Sequence, residues 1–388
     1  MRATTLAGGV AVVALLPLFL TAAMAVQISR ELAFGSVGLG LAVAVFRGTG
    51  AVASIHLGRL TDQLGALQAI RLAATMAAVA SLGVALGAHS LATLLLWLAL
   101  GGASVALAQP AANRLLLNRV PSDRLGTAFG VKQSAPPSAS LLAGAAVPII
   151  AVTAGWRWGY VLAAGVALVV LAVVRTPPGA DQRRAEQRQT ARQPLRNPRV
   201  ILILAIAFGL GDATSSVSTT FLVDSLVSAG SSPERAGIVL SIASACTVAM
   251  RLLLGAISDR LPGGHLHLCA AMLGVGAGGL WLLSSGDPGA AMIAGGVLAF
   301  VGCWGYNGVF WYAMVWAYPD APGRITGALS PGGLAGSTSG PVVFGWLVEQ
   351  FGYQASWRWF VGLALFAGMV LSWAGLQLER APGPPASA

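Results

Sequence analysis

Charge is what this chain has least of. Charged residues make up 9 % of its 388 residues, against about a quarter in a soluble domain. So few charges cannot solvate a globular surface of this size, and hydrophobic residues reach 56 %. Lysine is nearly absent: Lys132 stands alone among 23 basic residues, the rest being Arg. The three cysteines, Cys246, Cys269 and Cys303, lie in apolar runs without paired spacing. That excludes a disulfide framework and reads as small buried hydrophobes. Four histidines are scattered, and His265-x-His267 reads as a solvated loop rather than a metal site. No glycine-rich phosphate-binding motif is present, which points to an ion gradient rather than ATP as the energy source. Nothing calls for a cofactor, a metal or enzymatic chemistry. The net charge of +10 does not indicate nucleic acid, because the positive residues sit in short segments between apolar runs rather than on one amphipathic face.

What the chain does have is a repeat. Gly58-Arg-Leu-Thr-Asp62 recurs as Gly255-Ala-Ile-Ser-Asp259-Arg260, Arg124-Leu-Gly-Thr-Ala as Arg324-Ile-Thr-Gly-Ala, and Trp156-Arg157-Trp158 as Trp357-Arg358-Trp359. The offsets of 197, 200 and 201 residues preserve order and spacing. Repeated halves in a very apolar chain are a signature of membrane transporters.

A membrane-spanning helix needs roughly 20 mostly apolar residues. Twelve such stretches are expected, at about 6–26, 36–57, 69–88, 91–114, 125–151, 156–175, 200–222, 234–257, 266–285, 289–314, 325–348 and 357–377. Met1-Arg2 and the following apolar run imitate a signal peptide, but cleavage would delete the first span and destroy the match between halves. With the N-terminus inside, Arg59, Arg71, Arg119, Arg124, Arg260, Arg324 and Arg380 all fall on the cytoplasmic side. So does the stretch from Arg175 to Arg199, with seven arginines against Asp181 and Glu186. This inward positive bias predicts an all-α membrane protein with both termini cytoplasmic. Its twelve transmembrane helices form two pseudo-symmetric six-helix bundles, 1–175 and 200–388, joined by a basic linker at 176–199. The linker's charge serves topology control or contact with anionic lipid.

Six plus six spans, a basic middle linker and Gly-x-x-x-Asp between spans 2 and 3 resemble the major facilitator superfamily, over essentially the whole chain. That family's loop signature, roughly Gly-x-Leu-Ala-Asp-Arg-x-Gly-Arg-Arg, is met here by Gly58, Leu60, Asp62 and Gly65. Gln63 replaces its first Arg, and Ala66-Leu67 its later basic pair. The second copy, Gly255, Asp259, Arg260 and Gly263, keeps the Arg. The resemblance implies a gating latch. The Asp accepts hydrogen bonds from a neighbouring helix N-terminus and meets its positive dipole, holding the halves together when the molecule faces outward. Topology signalling by loop charges is the other reading. The resemblance also associates a Gly/Pro-rich span 5 with antiport. Pro136-Pro137, Gly144 and Pro148 match that pattern loosely and read as a bending element.

The substrate site is expected near the bilayer midplane between the halves, where buried charge is expensive. Arg47 lies roughly 15 Å from either end of span 2. Its fork suits a carboxylate, nitrate or phosphate, or else a structural ion pair or helix-end carbonyls. Lys132 and Gln133 sit in span 5, the lysine facing the cavity or snorkelling to the interface. Asp212, with Ser215, Ser216 and Thr219 on one helical face, can carry a proton, pair with Arg47 or Lys132, or touch substrate. All three charges fall where the copies disagree, opposite Ser244, Gly332 and Leu15.

Arg251 resembles an Arg of monocarboxylate transporters but has Val248 where the acidic partner is expected; snorkelling is the alternative. Trp304, Asn307 and Trp311 share one face of span 10. The resemblance places spans 1, 4, 7 and 10 on the cavity, and packing is the competing role. The resulting expectation is a secondary transporter working by alternating access, a monomer in the plasma (cell inner) membrane. It moves a small organic or inorganic anion with protons or by exchange. A proton-coupled drug or metabolite exporter and a non-transporting membrane sensor are the rivals.

Overall fold

The computed structural model describes residues 2–121, 128, 131–174, 198–258, 261, 263–318 and 322–380. Every regular element among them is helical. Helix α1 is Arg2–Ala23, α2 Ala25–Leu32, α3 Ser36–Leu64, α4 Ala66–Gly87 and α5 Leu91–Arg119. After these come α6 Ala135–Ala146, continued by a π-helical turn at Val147–Ala151, and α7 Trp156–Val173. The second half comprises α8 Pro198–Ser228, α9 Pro233–Ser258, α10 His265–Leu283, α11 Ala290–Ala317 and α12 Pro322–Arg380.

Local chemistry explains the boundaries. Ser90 and Thr93 form a reciprocal capping box at the start of α5, satisfying amides that a helix start leaves open. Proline opens α8, α9 and α12, where its missing N–H costs nothing. Helix α12 turns at Gly352, whose φ of 76° is open to glycine and costly for other residues. The loop signature closes on glycines in both halves, Gly65 at φ 78° and Gly264 at φ 76°. The second is one residue beyond the Gly263 that the sequence alignment selects.

Among the described residues, ten helices are long and apolar enough to cross a membrane, the last being the kinked Arg324–Leu378, and a shorter apolar stretch covers Ala135–Ala151. The predicted bend in span 5 is present. A helical turn at 131–133 is interrupted at Ser134 before Pro136-Pro137, and Pro148 lies in the π-helical turn. Proline removes a backbone donor, and wider turns absorb the mismatch.

The two halves meet unevenly. At one end a single core draws on both: Met24, Ile28 and Leu39 belong with Phe221, Phe344 and Trp357. At the other end each half keeps its own core. Ala7, Ile70 and Leu116 pack in the first half, and Leu204, Leu254 and Met314 in the second. The pair α3–α12 follows the same gradient. A methyl at Gly40 would overlap the Pro341 carbonyl, one at Gly48 would touch Thr338 Cγ2 at 3.8 Å, and one at Gly58 would meet nothing within 4 Å. Helix α9 stays against α6, with Ser244 Oγ donating to Ser140 Oγ at 2.9 Å.

Candidate functional site

Three helices carry a candidate residue near mid-length. At 1.5 Å per residue, Arg47 lies about 16 Å into α3, Asp212 about 21 Å into α8 and Trp304 about 21 Å into α11. The bundle brings them together at the level where the shared core gives way to separate ones. Asn307 Nδ2 donates to Asp212 Oδ1 at 2.8 Å, and the Ser337 side chain on α12 also bonds that carboxyl. The charges of Arg47 and Arg251 both act on Asp212, yet neither pairs with it within 4 Å: among the described residues the one ion pair is Arg157–Glu31. The predicted direct pair between Asp212 and Arg47 or Lys132 is therefore not formed in this conformation.

Arg47 makes no hydrogen bond among the described residues, and its buried Nε has no acceptor. Arg251 is held instead. Its Nη1 donates to the Gln133 carbonyl at 3.1 Å and its Nη2 to the Trp304 carbonyl at 3.0 Å. The guanidinium lies 5.3 Å from the Trp304 ring centroid, within cation–π range. Snorkelling is thus not how Arg251 is accommodated. It joins α9 to α11 and to the helical turn 131–133 that precedes α6, and its own Nε is buried without a partner among the described residues.

Lys132 is 5 % exposed, and its amine reaches the side chain of Gln133 at 3.4 Å. No bond joins it to Asp212 among the described residues. Trp304 packs on Phe19 of α1 at 5.7 Å and Phe300 at 5.3 Å. Trp311 does not follow it: its ring sits edge-on to Phe208 and Phe310, within the second-half core. The polar stripe on α8 also divides. Ser216 donates to the Ser337 carbonyl at 2.9 Å and Thr219 to the Ser216 carbonyl at 2.9 Å. These hydroxyls join α8 to α12 or satisfy their own helix, while Asp212 reaches across to α11.

Of the gating residues, a Cβ at Gly58 or at Gly255 would meet nothing within 4 Å among the described residues. Asp62 falls in the last turn of α3 and its side chain lies outside the described residues, as do Arg124, Asp259, Arg260 and the linker 175–197. The two Trp-Arg-Trp copies are used differently. Trp156 donates to Glu31 at 2.6 Å, and Arg157 bonds both Glu31 and the Ala88 carbonyl. Trp357 is buried against Phe344 at 4.4 Å with no partner for its indole N–H. His265 and His267 are not in a loop. They lie in the first turn of α10, bonded to the Ser258 carbonyl and to Ser372.

Sequence reasoning missed the α12 contribution. Ser337 contacts the site, and Thr338 Oγ1 is buried without a partner beside Gly48. Both stand in a Gly/Ser/Thr run, Gly336-Ser-Thr-Ser-Gly340, whose polar members were the available signal.

The profile of the Major Facilitator Superfamily matches residues 6–330. An uncharacterized MFS-type transporter of Mycobacterium tuberculosis (strain CDC 1551 / Oshkosh) is 25 % identical over 311 residues, covering 77 % of this chain and 68 % of its own. Solved structures share the fold at low identity. A bacterial homolog of the human lysosomal transporter Spinster, inward-facing and unoccupied, aligns with TM-score 0.77 at 15 % identity, covering 99 % of this chain and 98 % of its own. The D-xylose-proton symporter aligns with TM-score 0.77 at 15 % identity over 95 % and 96 %, and the nucleoside transporter NupG with 0.73 at 16 % over 98 % and 100 %. With the repeat, the apolar helices and the midplane charges, the profile match shows that this chain belongs to the major facilitator superfamily.

Proposed function

We propose that the chain is a secondary active transporter that moves a small organic or inorganic anion by alternating access, coupled to protons or by exchange. The observation that carries the reading is Arg47: a guanidinium at mid-bundle, with a buried Nε that no group among the described residues accepts from. A fixed cation costs several kcal/mol at membrane depth, and a bound carboxylate or phosphate would offset that through charge-assisted bonds. Arg251 adds a second cation beside one acid, so the cluster carries surplus positive charge. Lys132 and Gln133 extend it from the turn before α6, and Trp304 and Asn307 shape it from α11. Asp212 is the proton carrier in this scheme: Asn307 and Ser337 hold its carboxyl, and the two arginines make its charge state sensitive to an arriving anion.

The proposal includes twelve spans as two six-helix bundles, 1–175 and 200–388, with both termini and the linker 176–199 cytoplasmic. It further includes a monomer in the plasma (cell inner) membrane. The end where the halves share a core is then the outer one, and the conformation faces inward. A second reading, a proton-coupled exporter of amphipathic drugs or metabolites, is favoured by the aromatic group Phe19, Phe300 and Trp304. A non-transporting sensor is the remaining alternative.

The test is a ligand screen by thermal stability in detergent, followed by counterflow in proteoliposomes. Arg47→Ala is expected to insert and fold normally but to lose both stabilisation and counterflow with anions. Normal kinetics in that variant would remove the anion site. Stabilisation by amphipathic cations that survives Arg47→Ala would favour the exporter.

A further inference from the structure

Helix α3 begins without a cap of its own: Gly35 precedes it and offers no side-chain acceptor. The acceptor comes from the other half. Glu349, near the Gly352 turn of α12, takes the backbone N–H of Val37 on Oε1 at 2.9 Å. Glycine at position 35 makes room, since a Cβ there would meet that same oxygen at 2.5 Å. Around this point Tyr353 bonds both Asp224 of α8 and Ser36 of α3, and the positive charge of Arg30 acts on Asp224. A small cavity lined by Ser29, Phe34, Ser36, Leu39 and Asp224 adjoins the contact.

A carboxylate at a helix N-terminus satisfies an open donor and meets the positive end of the helix dipole. Here carboxylate and helix belong to opposite halves, at the end where the halves share a core. We infer that Glu349 and the α3 N-terminus form the latch that holds this end shut, and that the latch must break for the end to open. The inference rests on the alternating-access reading. It gives α3 a role at both ends. The Gly58–Asp62 signature lies at its C-terminal end, where the halves are splayed and a Cβ at Gly58 would meet nothing within 4 Å among the described residues. The Glu349 cap lies at its N-terminal end, where they are joined. Alternating access forbids both ends to be open at once, so a carboxylate latch at each end makes α3 the element whose released end sets which side is open.

The experiment uses purified full-length protein in detergent, where a maleimide reaches both faces. Leu39 lines the cavity behind the latch and is 2 % exposed, so Leu39→Cys reports opening of that end. The native Cys269, fully buried in the second-half core, reports general loosening. Adding Glu349→Ala is expected to raise the labelling rate at position 39 about tenfold, the equilibrium factor for 1.4 kcal/mol, a cap-sized free energy. Cys269 should stay unlabelled. Glu349→Gln keeps an oxygen acceptor but loses the charge, and should fall between the two. If Glu349→Ala does not survive purification, a rise confined to position 39 in Glu349→Gln supports the latch. Labelling at the parent rate overturns it, and so does a rise at Cys269 in step with position 39. No substrate enters this assay. Parent-rate labelling therefore counts against the latch alone, and failure of counterflow counts against transport alone.

Discussion

Glu31, Asp212 and Arg251 each have hydrogen-bond partners, whereas Arg47 has none among the described residues. Glu31 is the clearest paired case. Burial alone would raise its pKa, but the Trp156 indole and the Arg157 guanidinium hold it below the ordinary carboxylate value of 4.5. A depressed folded-state pKa means stability present above about 4.5 and lost as the pH falls through the folded value. Glu31→Gln should therefore lower the melting temperature by about 1–2 °C at pH 7, since a half-exposed pair is worth at most about 1 kcal/mol. The gap should close as the pH falls below 4.5 and through the depressed folded-state value. Melting curves of both proteins from pH 7 to pH 3 check this, and a constant gap would mean that the ion pair is not what Glu31 contributes. Arg47 is the opposite case: its charge has been brought to mid-bundle and makes no hydrogen bond among the described residues.

Elements pack here through backbone contact more than through large side chains. A Cβ at Gly336 of α12 would overlap the Gly209 carbonyl of α8, and one at Gly332 the Ala205 carbonyl. Small residues at such crossings are what lets membrane helices approach closely without a hydrophobic drive between them. Gly336→Ala is expected to cost about 1–3 kcal/mol through forced separation, seen as a lower detergent melting temperature. Gly308→Ala on α11, where nothing lies within 4 Å, should be neutral or mildly stabilising because alanine is the better helix former. Equal effects at the two sites would show that crossing distance is not what glycine provides. The hydroxyls of α8 serve the same joint: Ser216 donates to the backbone carbonyl of Ser337, the residue whose side chain holds Asp212. Scaffold and site are therefore built into one crossing.

At the scale of the molecule, the uneven contact between halves carries the functional argument. One shared core and two separate ones describe a body closed at one end and split at the other, with the midplane charges at the boundary between them. The proposed proton coupling belongs to this scale, because it would require Asp212 to exchange its proton with opposite sides in turn. Asp212→Asn keeps an oxygen that can accept from Asn307 but cannot ionise. Substrate counterflow should therefore survive in that variant while accumulation driven by an imposed pH gradient disappears, as measured in proteoliposomes. Gradient-driven accumulation at the wild-type level would remove Asp212 as the carrier.

Apolar run lengths, the repeated signature and the basic bias were readable in linear order, because each depends on composition within a window or on a fixed offset. They marked the helical class and singled out the candidates Arg47, Asp212 and Trp304, for a charge or a deep aromatic in an apolar run stands out in one dimension. Partnership was not readable. That Arg251 would bind the carbonyls of Gln133 and Trp304, that Trp311 would leave the face of Trp304 for Phe208, and that Ser337 would meet Asp212 all depend on crossing angles between distant helices. Those angles are set by which small residues let two backbones touch. The cap on α3 is the extreme instance. Glu349 is 312 residues from Val37 in the chain, and no local pattern links a glutamate in one half to an amide that the other leaves open.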